Sequence, residues 1–410
     1  MRKRFVFLAL LISFGALVFA FELKDGDRVA FYGDSITEMG GYVRDIQDYV
    51  ITRYPDLKIS FINLGIGGDR VSGGAAGPID TRITRDVVPY QPTVVTICLG
   101  MNDGEYQPFK QEIYDRYYKG LEHIVSRIRK ECPKARLFIL GPPAFDDVTR
   151  GDSTYNNSLR RISDGAKLIA KKYKAKFVDT NTPMVKVLEA LKKNGSNALI
   201  LPDRVHPDPG GHWIMAHAVL KAWGATAEVA SIKIDVVECN ATAKNADVLM
   251  VARNTKGVSF TTKQHRLPLP LDLNHASIKA VFDVTSIEKD LSREMLVVSG
   301  LESGNFLLKV NETELGQFSA KQLATGINVA SNPGFPLQHQ ALALAKKTNE
   351  RHALAYLIWR RIYVPAWDEP KQATDKDWPP VRWKEAEDML AVEQASVKAQ
   401  GWLRWVIVKQ

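Results

Sequence analysis

The chain of 410 residues is long enough for two domains, and its content of 45% hydrophobic and 25% charged residues is typical of a globular protein with a full core. No low-complexity tract or short-period repeat interrupts it. The formal net charge is +9, but no dense Lys/Arg patch interleaved with aromatic residues occurs, which argues against a nucleic-acid partner.

The first twenty residues have the organisation of a secretory signal. A basic start at residues 2–4 precedes an almost wholly apolar stretch over residues 5–18, and small residues end at Ala20. We therefore predict a signal peptide over residues 1–20 and a secreted or periplasmic mature protein. The alternative is a membrane anchor, for which the apolar core is short.

The next part of the chain alternates between apolar runs of strand length and segments of helical periodicity. The runs lie at 29–32, 59–64, 93–99, 137–140 and 177–178. Between them, one apolar stripe comprises Ile113, Tyr117, Leu121, Ile124 and Ile128. Strands that alternate with helices predict an α/β fold, in which a parallel sheet is covered on both faces. Ligands of such sheets bind beyond the carboxyl ends of the strands.

The pattern changes after the predicted helix 211–223. Strand-like segments occur at 231–238, 246–252, 278–284 and 295–298, a hairpin at 305–310 and 315–318, helices at 342–361 and 384–399, and a closing strand at 402–408. We therefore divide the mature chain into an α/β domain (21–224), a β-rich accessory region (225–321) and a helical C-terminal segment (322–410) that can pack back on the first domain.

A serine, a histidine and an aspartate of the α/β domain have the residue types that ester hydrolysis requires. Ser35 follows a predicted strand and a glycine, at the kind of corner where α/β enzymes keep a nucleophile. His206 lies before the last helix of the domain, and Asp203 precedes it by three residues, so the carboxylate can fold back onto the imidazole. An ordinary turn at Ser35 is the alternative.

Two further strand ends could supply donors to the oxyanion that such a reaction forms. The glycine-rich segment 65–68 lets backbone N–H groups approach a substrate, and the side-chain amide of Asn102 can point to the same place. A phosphate-binding loop is the competing interpretation of the glycines, but the required Lys-Ser/Thr is missing.

A metal site is the alternative interpretation of the loop around His206, because Asp203, Asp208 and His212 crowd the same segment. The chain has no paired-His helical motif and no Cys pair beside these residues. We therefore expect neither a metal nor another cofactor. Of the three cysteines, Cys98 is expected in the core, whereas a pairing of Cys132 with Cys239 stays open.

Four short blocks occur along the chain in a fixed order: Gly33-Asp34-Ser35-Ile36-Thr37, Gly68, Gly100-Met101-Asn102-Asp103 and Asp203-Arg204-Val205-His206. In these blocks the chain resembles the SGNH hydrolase family, also called GDSL esterases and lipases, over roughly residues 26–224. The resemblance implies a three-layer α/β/α fold, flavodoxin-like in architecture. Arg70 departs from the family pattern, since many relatives carry a small hydroxyl residue there.

The same resemblance implies roles for individual residues. Ser35 would be the nucleophile, His206 the base and Asp203 the carboxylate that orients it. The backbone N–H groups of Ser35 and Gly68 and the side chain of Asn102 would form the oxyanion hole.

The second half of the chain is similar, more diffusely, to the C-terminal region of exported SGNH proteins from polysaccharide-degrading bacteria. Segments 301–306 and 359–361 contribute to this similarity. The resemblance favours a secreted serine esterase that removes small acyl groups, above all O-acetyl, from carbohydrate. The alternatives are a lipolytic hydrolase of the lysophospholipase or thioesterase type and a non-catalytic glycan-binding module.

Overall fold

The computed structural model describes residues 21–151, 153–366 and 378–410. The predicted signal peptide, residues 1–20, lies outside the described residues. Among those residues, no helix is both long and apolar enough to cross a membrane.

The first half of the chain is built on a parallel sheet. The strands of this half are β1 (Arg28–Gly33), β2 (Ser60–Gly65), β3 (Gly73–Gly74), β4 (Gly77–Pro78), β5 (Val94–Cys98), β6 (Arg136–Leu140) and β7 (Lys176–Val178). The two-residue strands β3 and β4 pair with each other in a separate antiparallel ribbon. The other five pair in the order β2-β1-β5-β6-β7, and every pair is parallel. Gly33 is in register with Gly65 and Cys98, so three neighbouring strands end at one edge.

Helices cover both faces of this sheet. They are α1 (Ser35–Met39), α2 (Gly41–Arg53), α3 (Ile79–Arg82), α4 (Gln111–Glu131), α5 (Tyr155–Lys172), α6 (Asn181–Lys193) and α7 (Pro209–Ala222), with a π-helical turn at Ile83–Val87 after α3. Val29 and Phe31 of β1 pack with α2, α6 and α7, whereas Ala30 and Tyr32 pack with α4 and α5. The alternation reflects the period of two along a strand. The predicted three-layer α/β/α fold is confirmed.

The second half begins with β-strands that form two further sheets. They are β8 (Glu228–Asp235), β9 (Asn240–Lys244), β10 (Ala246–Asn254), β11 (Gly257–Gln264), β12 (Arg293–Ser299), β13 (Asn305–Val310), β14 (Thr313–Ser319), β15 (Ile327–Asn328) and β16 (Leu403–Lys409). One sheet has the order β10-β11-β16-β13-β14, and the other β15-β12-β8-β9. Their apolar residues form a common core that is separate from the two cores of the parallel sheet.

The end of the chain lies in the middle of the first of these sheets. Strand β16 pairs with both β11 and β13, antiparallel to each. The ring of Trp405 stacks on that of Phe260 at 5.7 Å, and its indole N–H donates to the hydroxyl of Thr262 at 2.7 Å. The strand predicted at 402–408 is therefore present, and it joins the β10-β11 pair to the β13-β14 pair.

The strand predicted at 278–284 is wrong, because this segment forms helix α8 (Ala276–Val284), followed by α9 (Ile287–Leu291). Its β-branched residues favour a strand, but Ile278 and Val281 are three residues apart and share one helical face. That face packs against α7, where the ring of Phe282 also meets Trp213 edge-on at 5.9 Å. Tertiary burial of this helical stripe outweighs the local strand propensity.

Helices return before the last strand and pack on the α/β domain. They are α10 (Ala320–Thr325), α11 (Pro336–Leu357), which continues into a π-helical turn at Ile358–Tyr363, α12 (Val364–Ala366) and α13 (Trp378–Lys398). Helix α11 lies on α2 and β2, where the buried ring of His352 approaches the side-chain amides of Gln47 and Asn63 at 3.3 Å each. A buried ion pair, Arg351 to Glu393 at 2.9 Å, joins α11 to α13.

The three cysteines, all in the described part of the chain, are free thiols. Cys98 and Cys132 are buried, and Cys239 is exposed. The pairing of Cys132 with Cys239, which the sequence left open, is therefore absent from this structure.

Candidate active site

Ser35 lies at a tight corner between β1 and α1. Gly33 ends the strand, and a Cβ at this position would lie 2.7 Å from the carbonyl oxygen of Cys98 and closer still to the hydroxyl of Thr37. The carboxylate of Asp34 then caps α1 by accepting the N–H of Ile36 at 3.0 Å. Ser35 is the first residue of this helix, so its hydroxyl is held at the edge where the strands end.

The structure brings Ser35, His206 and Asp203 together, although Ser35 and His206 are 171 residues apart in the chain. Nε2 of His206 lies 2.8 Å from Oγ of Ser35. Nδ1 of the same ring lies 2.6 Å from Oδ2 of Asp203. The three side chains therefore form one continuous line of hydrogen bonds.

Backbone geometry holds Asp203 in this position. Its Oδ1 accepts the N–H groups of Val205 and His206 at 3.0 and 2.7 Å. Arg204, between Asp203 and Val205, has a φ of +78°, which turns the chain sharply. The guanidinium of Arg204 lies 4.4 Å from the ring centre of Phe145, and its Nε donates to the carbonyl of Asp146 at 3.0 Å, so the turn is anchored.

The hydrogen bonds to Asp203 also decide its charge. Partial burial opposes ionisation, but the hydrogen bonds from the ring and the backbone of His206 outweigh it and lower the pKa of Asp203 below its usual range. Asp203 is therefore a carboxylate at neutral pH. A carboxylate beside Nδ1 favours the imidazole tautomer with its proton on Nδ1, which leaves the lone pair of Nε2 facing Ser35.

The segment that contains Gly68 reaches the same corner. A Cβ on Gly67 would lie 3.9 Å from the Cβ of Ser35, and Gly68 is exposed, with a φ of +76°. The amide of Asn102 donates from Nδ2 to the carbonyl of Asp69 at 3.1 Å, and its Oδ1 accepts the hydroxyl of Tyr106 at 2.8 Å. One N–H of the Asn102 amide thus remains available beside the Gly68 segment.

Comparisons with known proteins identify the family of the α/β domain. A family model described as GDSL-like Lipase/Acylhydrolase matches residues 31–214. The acetylxylan esterase of Geobacillus stearothermophilus is 30% identical over 228 residues, which are 50% of this chain and 96% of that esterase. The chain belongs to the GDSL-like lipase/acylhydrolase (SGNH) family. It is accordingly a carboxylic ester hydrolase, and the resemblance seen in the sequence is confirmed.

Solved structures extend the comparison of this SGNH hydrolase beyond its α/β domain. BT4096, a gut microbial diltiazem-metabolizing enzyme, matches over 96% of this chain and 99% of its own, with 26% sequence identity and a TM-score of 0.79. The esterase Axe2 of Geobacillus stearothermophilus matches over 50% of this chain and 96% of its own, with 27% identity and a TM-score of 0.41.

The metal interpretation of the loop around His206 finds no support in the geometry. Asp208 caps α7 by accepting the N–H of Gly211 at 3.0 Å. His212 is buried against the ring of Tyr42, and burial lowers its pKa to about 3, so it stays neutral in the core. In the described part of the chain, no three or more His, Cys, Asp or Glu side chains are grouped so as to hold a metal ion.

Sequence reasoning missed a buried arginine that holds the Gly68 segment of this SGNH hydrolase. The guanidinium of Arg82 donates to Asp69 at 2.7 Å, to the carbonyl of Leu64 at 2.9 Å and to Asp86. It also lies 4.8 Å from the ring centre of Tyr32. The only signal in the sequence was the i, i+4 spacing of Arg82 and Asp86, which is more typical of a solvated helix face.

Asp103, which the sequence places in the block Gly100-Met101-Asn102-Asp103 without indicating a role for it, ties the Asn102 turn to the chain that follows Gly68. Its Oδ1 accepts the N–H of Val71 at 3.0 Å. Burial raises the pKa of Asp103 to about 6, and the hydrogen bond from Val71 acts in the opposite direction. The turns that carry Gly68 and Asn102 are therefore connected directly, through Val71 and through Asp69.

Proposed function

We propose that this SGNH hydrolase removes small acyl groups, above all O-acetyl, from carbohydrate, with Ser35 as the nucleophile. The observation that carries the proposal is the hydrogen-bonded line from Asp203 through His206 to Ser35, with distances of 2.6 and 2.8 Å. A serine hydroxyl is a weak nucleophile until a base takes its proton, and this geometry supplies that base.

In the first step, Oγ of Ser35 attacks the carbonyl carbon of the ester while Nε2 of His206 accepts its proton. The carboxylate of Asp203 stabilises the imidazolium that forms. The carbonyl oxygen becomes an oxyanion, which meets the backbone N–H groups of Ser35 and Gly68 and the side-chain amide of Asn102.

In the second step, the tetrahedral intermediate collapses and the bond between the carbonyl carbon and the sugar oxygen breaks. His206 gives its proton to that oxygen, and the sugar leaves as an alcohol. A water then attacks the acyl group on Ser35 with His206 again as the base. Collapse of the second intermediate returns the proton to Oγ of Ser35 and releases the acid.

Two observations support carbohydrate as the alcohol part of the ester. The acetylxylan esterase that matches the α/β domain acts, by its name, on an acetylated polysaccharide. In this chain, the half-exposed ring of Tyr106 lies beside Asn102 and packs at 5.2 Å on Tyr155 and at 6.2 Å on Phe145. A fixed aromatic face next to the oxyanion donors suits a sugar ring.

The test is acetate release from acetylated xylan by wild type and Ser35→Ala. We expect the substitution to lower kcat by about 10⁴-fold or more, because the nucleophile is lost. Ser126→Ala, which removes a hydroxyl on α4 that bonds only to the carbonyl of His123, is the matched control and keeps full activity. Acetate release by Ser35→Ala at the wild-type rate would refute the proposal.

The same assay separates the acyl classes. We expect p-nitrophenyl acetate to be hydrolysed faster than p-nitrophenyl esters of long-chain acids. A preference for long chains would replace the acetyl proposal with a lipolytic one.

A second candidate substrate is a small-molecule ester, because BT4096, a diltiazem-metabolizing enzyme, matches nearly the whole chain. Comparing kcat/KM for diltiazem with that for acetylated xylo-oligosaccharides distinguishes the two. A higher kcat/KM for diltiazem would favour a small-molecule hydrolase.

We also propose that the protein is exported, with cleavage after Ala20. Phe21, the first described residue, stacks on Tyr54 with ring centres 4.3 Å apart, so the new N-terminus would begin on the folded surface. N-terminal sequencing of the protein from the periplasm or the medium should start at Phe21. Recovery of the chain only inside the cell, with Met1 present, would contradict export.

A further inference from the structure

The C-terminal helix α11 and its π-helical continuation contact the α/β domain at a point next to Ser35. The hydroxyl of Tyr356 donates to Oε1 of Glu38. Nε of Arg360 lies 3.9 Å from the same oxygen. Glu38 belongs to α1, one helical turn after Ser35, so both residues project from the same side of that short helix.

Glu38 in turn lies against the segment that carries Gly68. A Cβ on Gly67 would lie 2.7 Å from Oε2 of Glu38 and 3.9 Å from the Cβ of Ser35. The carboxylate therefore packs on Gly67, on the same side as the serine. No side chain larger than hydrogen could occupy position 67 without displacing Glu38.

The same C-terminal segment also supports the far side of this loop. Trp359 is buried, and its ring packs edge-on against Tyr356 at 5.7 Å and lies 5.9 Å from the guanidinium of Arg82. Arg82 holds the carboxylate of Asp69 at 2.7 Å. Residues 67–69 are thus held at one end through Glu38, which Tyr356 of α11 contacts, and at the other through Arg82, which Trp359 of the π-helical turn contacts.

We propose that Tyr356 is a positioning residue of the esterase site and acts through Glu38 on the backbone at Gly67 and Gly68. The proposal rests on the proposed function, in which the N–H of Gly68 meets the oxyanion. An oxyanion donor contributes fully only when it is held where the charge develops. Tyr356 fixes the carboxylate that packs on Gly67, and Arg360 balances its negative charge, which would otherwise oppose an oxyanion nearby.

The first test is Tyr356→Phe with p-nitrophenyl acetate as substrate. We expect kcat to fall about tenfold with KM changed less than twofold, because the loop is needed in the transition state rather than for binding. This loss is below the roughly 100- to 1000-fold that follows removal of a donor in direct contact with the oxyanion. Tyr363→Phe is the matched control. It removes one hydroxyl from the same segment, which donates to the carbonyl of Arg85 at 3.0 Å.

A double-mutant cycle with Glu38→Leu shows whether Tyr356 acts through Glu38. We expect Glu38→Leu to lower kcat about as much as Tyr356→Phe, and the double variant to lose no more than either single one. The proposal is overturned if the double variant loses kcat by the product of the two single losses. It is also overturned if Tyr356→Phe and Tyr363→Phe have equal kcat values at equal melting temperatures. If either of these results is found and Ser35→Ala is inactive, the proposed esterase function still holds and only the role of Tyr356 is refuted. Full activity of Ser35→Ala would refute the esterase proposal and, with it, the proposal for Tyr356.

Discussion

Nε of Arg82 donates to Oδ2 of Asp69 at 2.7 Å, and both side chains are fully buried. Asp69 follows Gly68 directly, and its carbonyl accepts the amide of Asn102. This buried pair therefore connects the stability of the domain to the position of Gly68 and Asn102, the proposed oxyanion donors.

Arg82→Met should destabilise the protein and lower its activity. Removing the guanidinium leaves Asp69 as a buried carboxylate without its cation, whereas Asp86 keeps its ion pair with Arg85, and we expect the free energy of unfolding to fall by about 3–5 kcal/mol. Urea unfolding and kcat on p-nitrophenyl acetate measure the two effects. Arg127→Met is the matched control, because Arg127 pairs at 2.6 Å with an exposed Asp80, and such pairs contribute about 1 kcal/mol or less. Equal losses in both variants would contradict this account.

Asp203→Asn should lower kcat by about 10⁴-fold, because an amide neither stabilises the imidazolium nor selects the tautomer with the proton on Nδ1. Asp208→Asn, five residues later, is the control. Asp208 only caps α7, and Asn is an equally good N-cap, so this variant should keep its activity. Initial-rate measurements on p-nitrophenyl acetate test both. An active Asp203→Asn would mean that another group orients His206.

Asn102→Ala should lower kcat by about 10²- to 10³-fold with little change in KM, because in the proposed mechanism the amide stabilises the charge that develops in the transition state. Tyr106→Phe should have a smaller effect, since it removes only the hydroxyl that holds Oδ1 of Asn102. Tyr118→Phe on α4 serves as the control for loss of a phenol. Steady-state kinetics on p-nitrophenyl acetate measure these effects. If Asn102 is only a turn residue, Asn102→Ala will keep the kcat of the wild type.

Asp48→Asn should change how stability depends on pH. Asp48 lies on α2 at the contact with α11 and α13, and burial raises its pKa to about 7. The hydrogen bond from Thr348 and the charge of Arg351 lower this pKa, whereas the charge of Glu393 raises it further. Its native pKa is above the unfolded value, so its contribution to stability is complete at low pH and is lost as the pH rises through about 7.

The stability of Asp48→Asn relative to wild type should therefore increase by about 1 kcal/mol for each pH unit between roughly 5 and 7. Urea unfolding at several pH values measures the difference. Asp164→Asn, an exposed position on α5, should show no such trend. A difference between Asp48→Asn and wild type that stays constant with pH would show that Asp48 is ionised in the native protein.

Much of the α/β domain could be predicted because its signals are local. Apolar runs such as residues 93–99 and the helical stripe from Ile113 to Ile128 are complete within one element, and periodicity alone distinguishes them. The prediction for segment 278–284 was wrong because its local signal points to a different structure from the one that packing favours. Its β-branched residues favour a strand locally, whereas the helical face that contains Ile278 and Val281 is recognisable only from its packing on α7.

The candidate site also combines local features, which the sequence predicts, with contacts between distant residues. The turn that brings Asp203 onto His206 spans four residues, and the corner at Ser35 needs only a glycine and a short helix, so the sequence by itself determined these local arrangements. Only the tertiary structure decided that Ser35 meets His206, that Arg82 is buried on Asp69 and that Tyr356 reaches Glu38. Each of these contacts joins residues distant in the chain, and burial depends on which faces of the folded elements meet. No periodicity or spacing within a single segment carries that information.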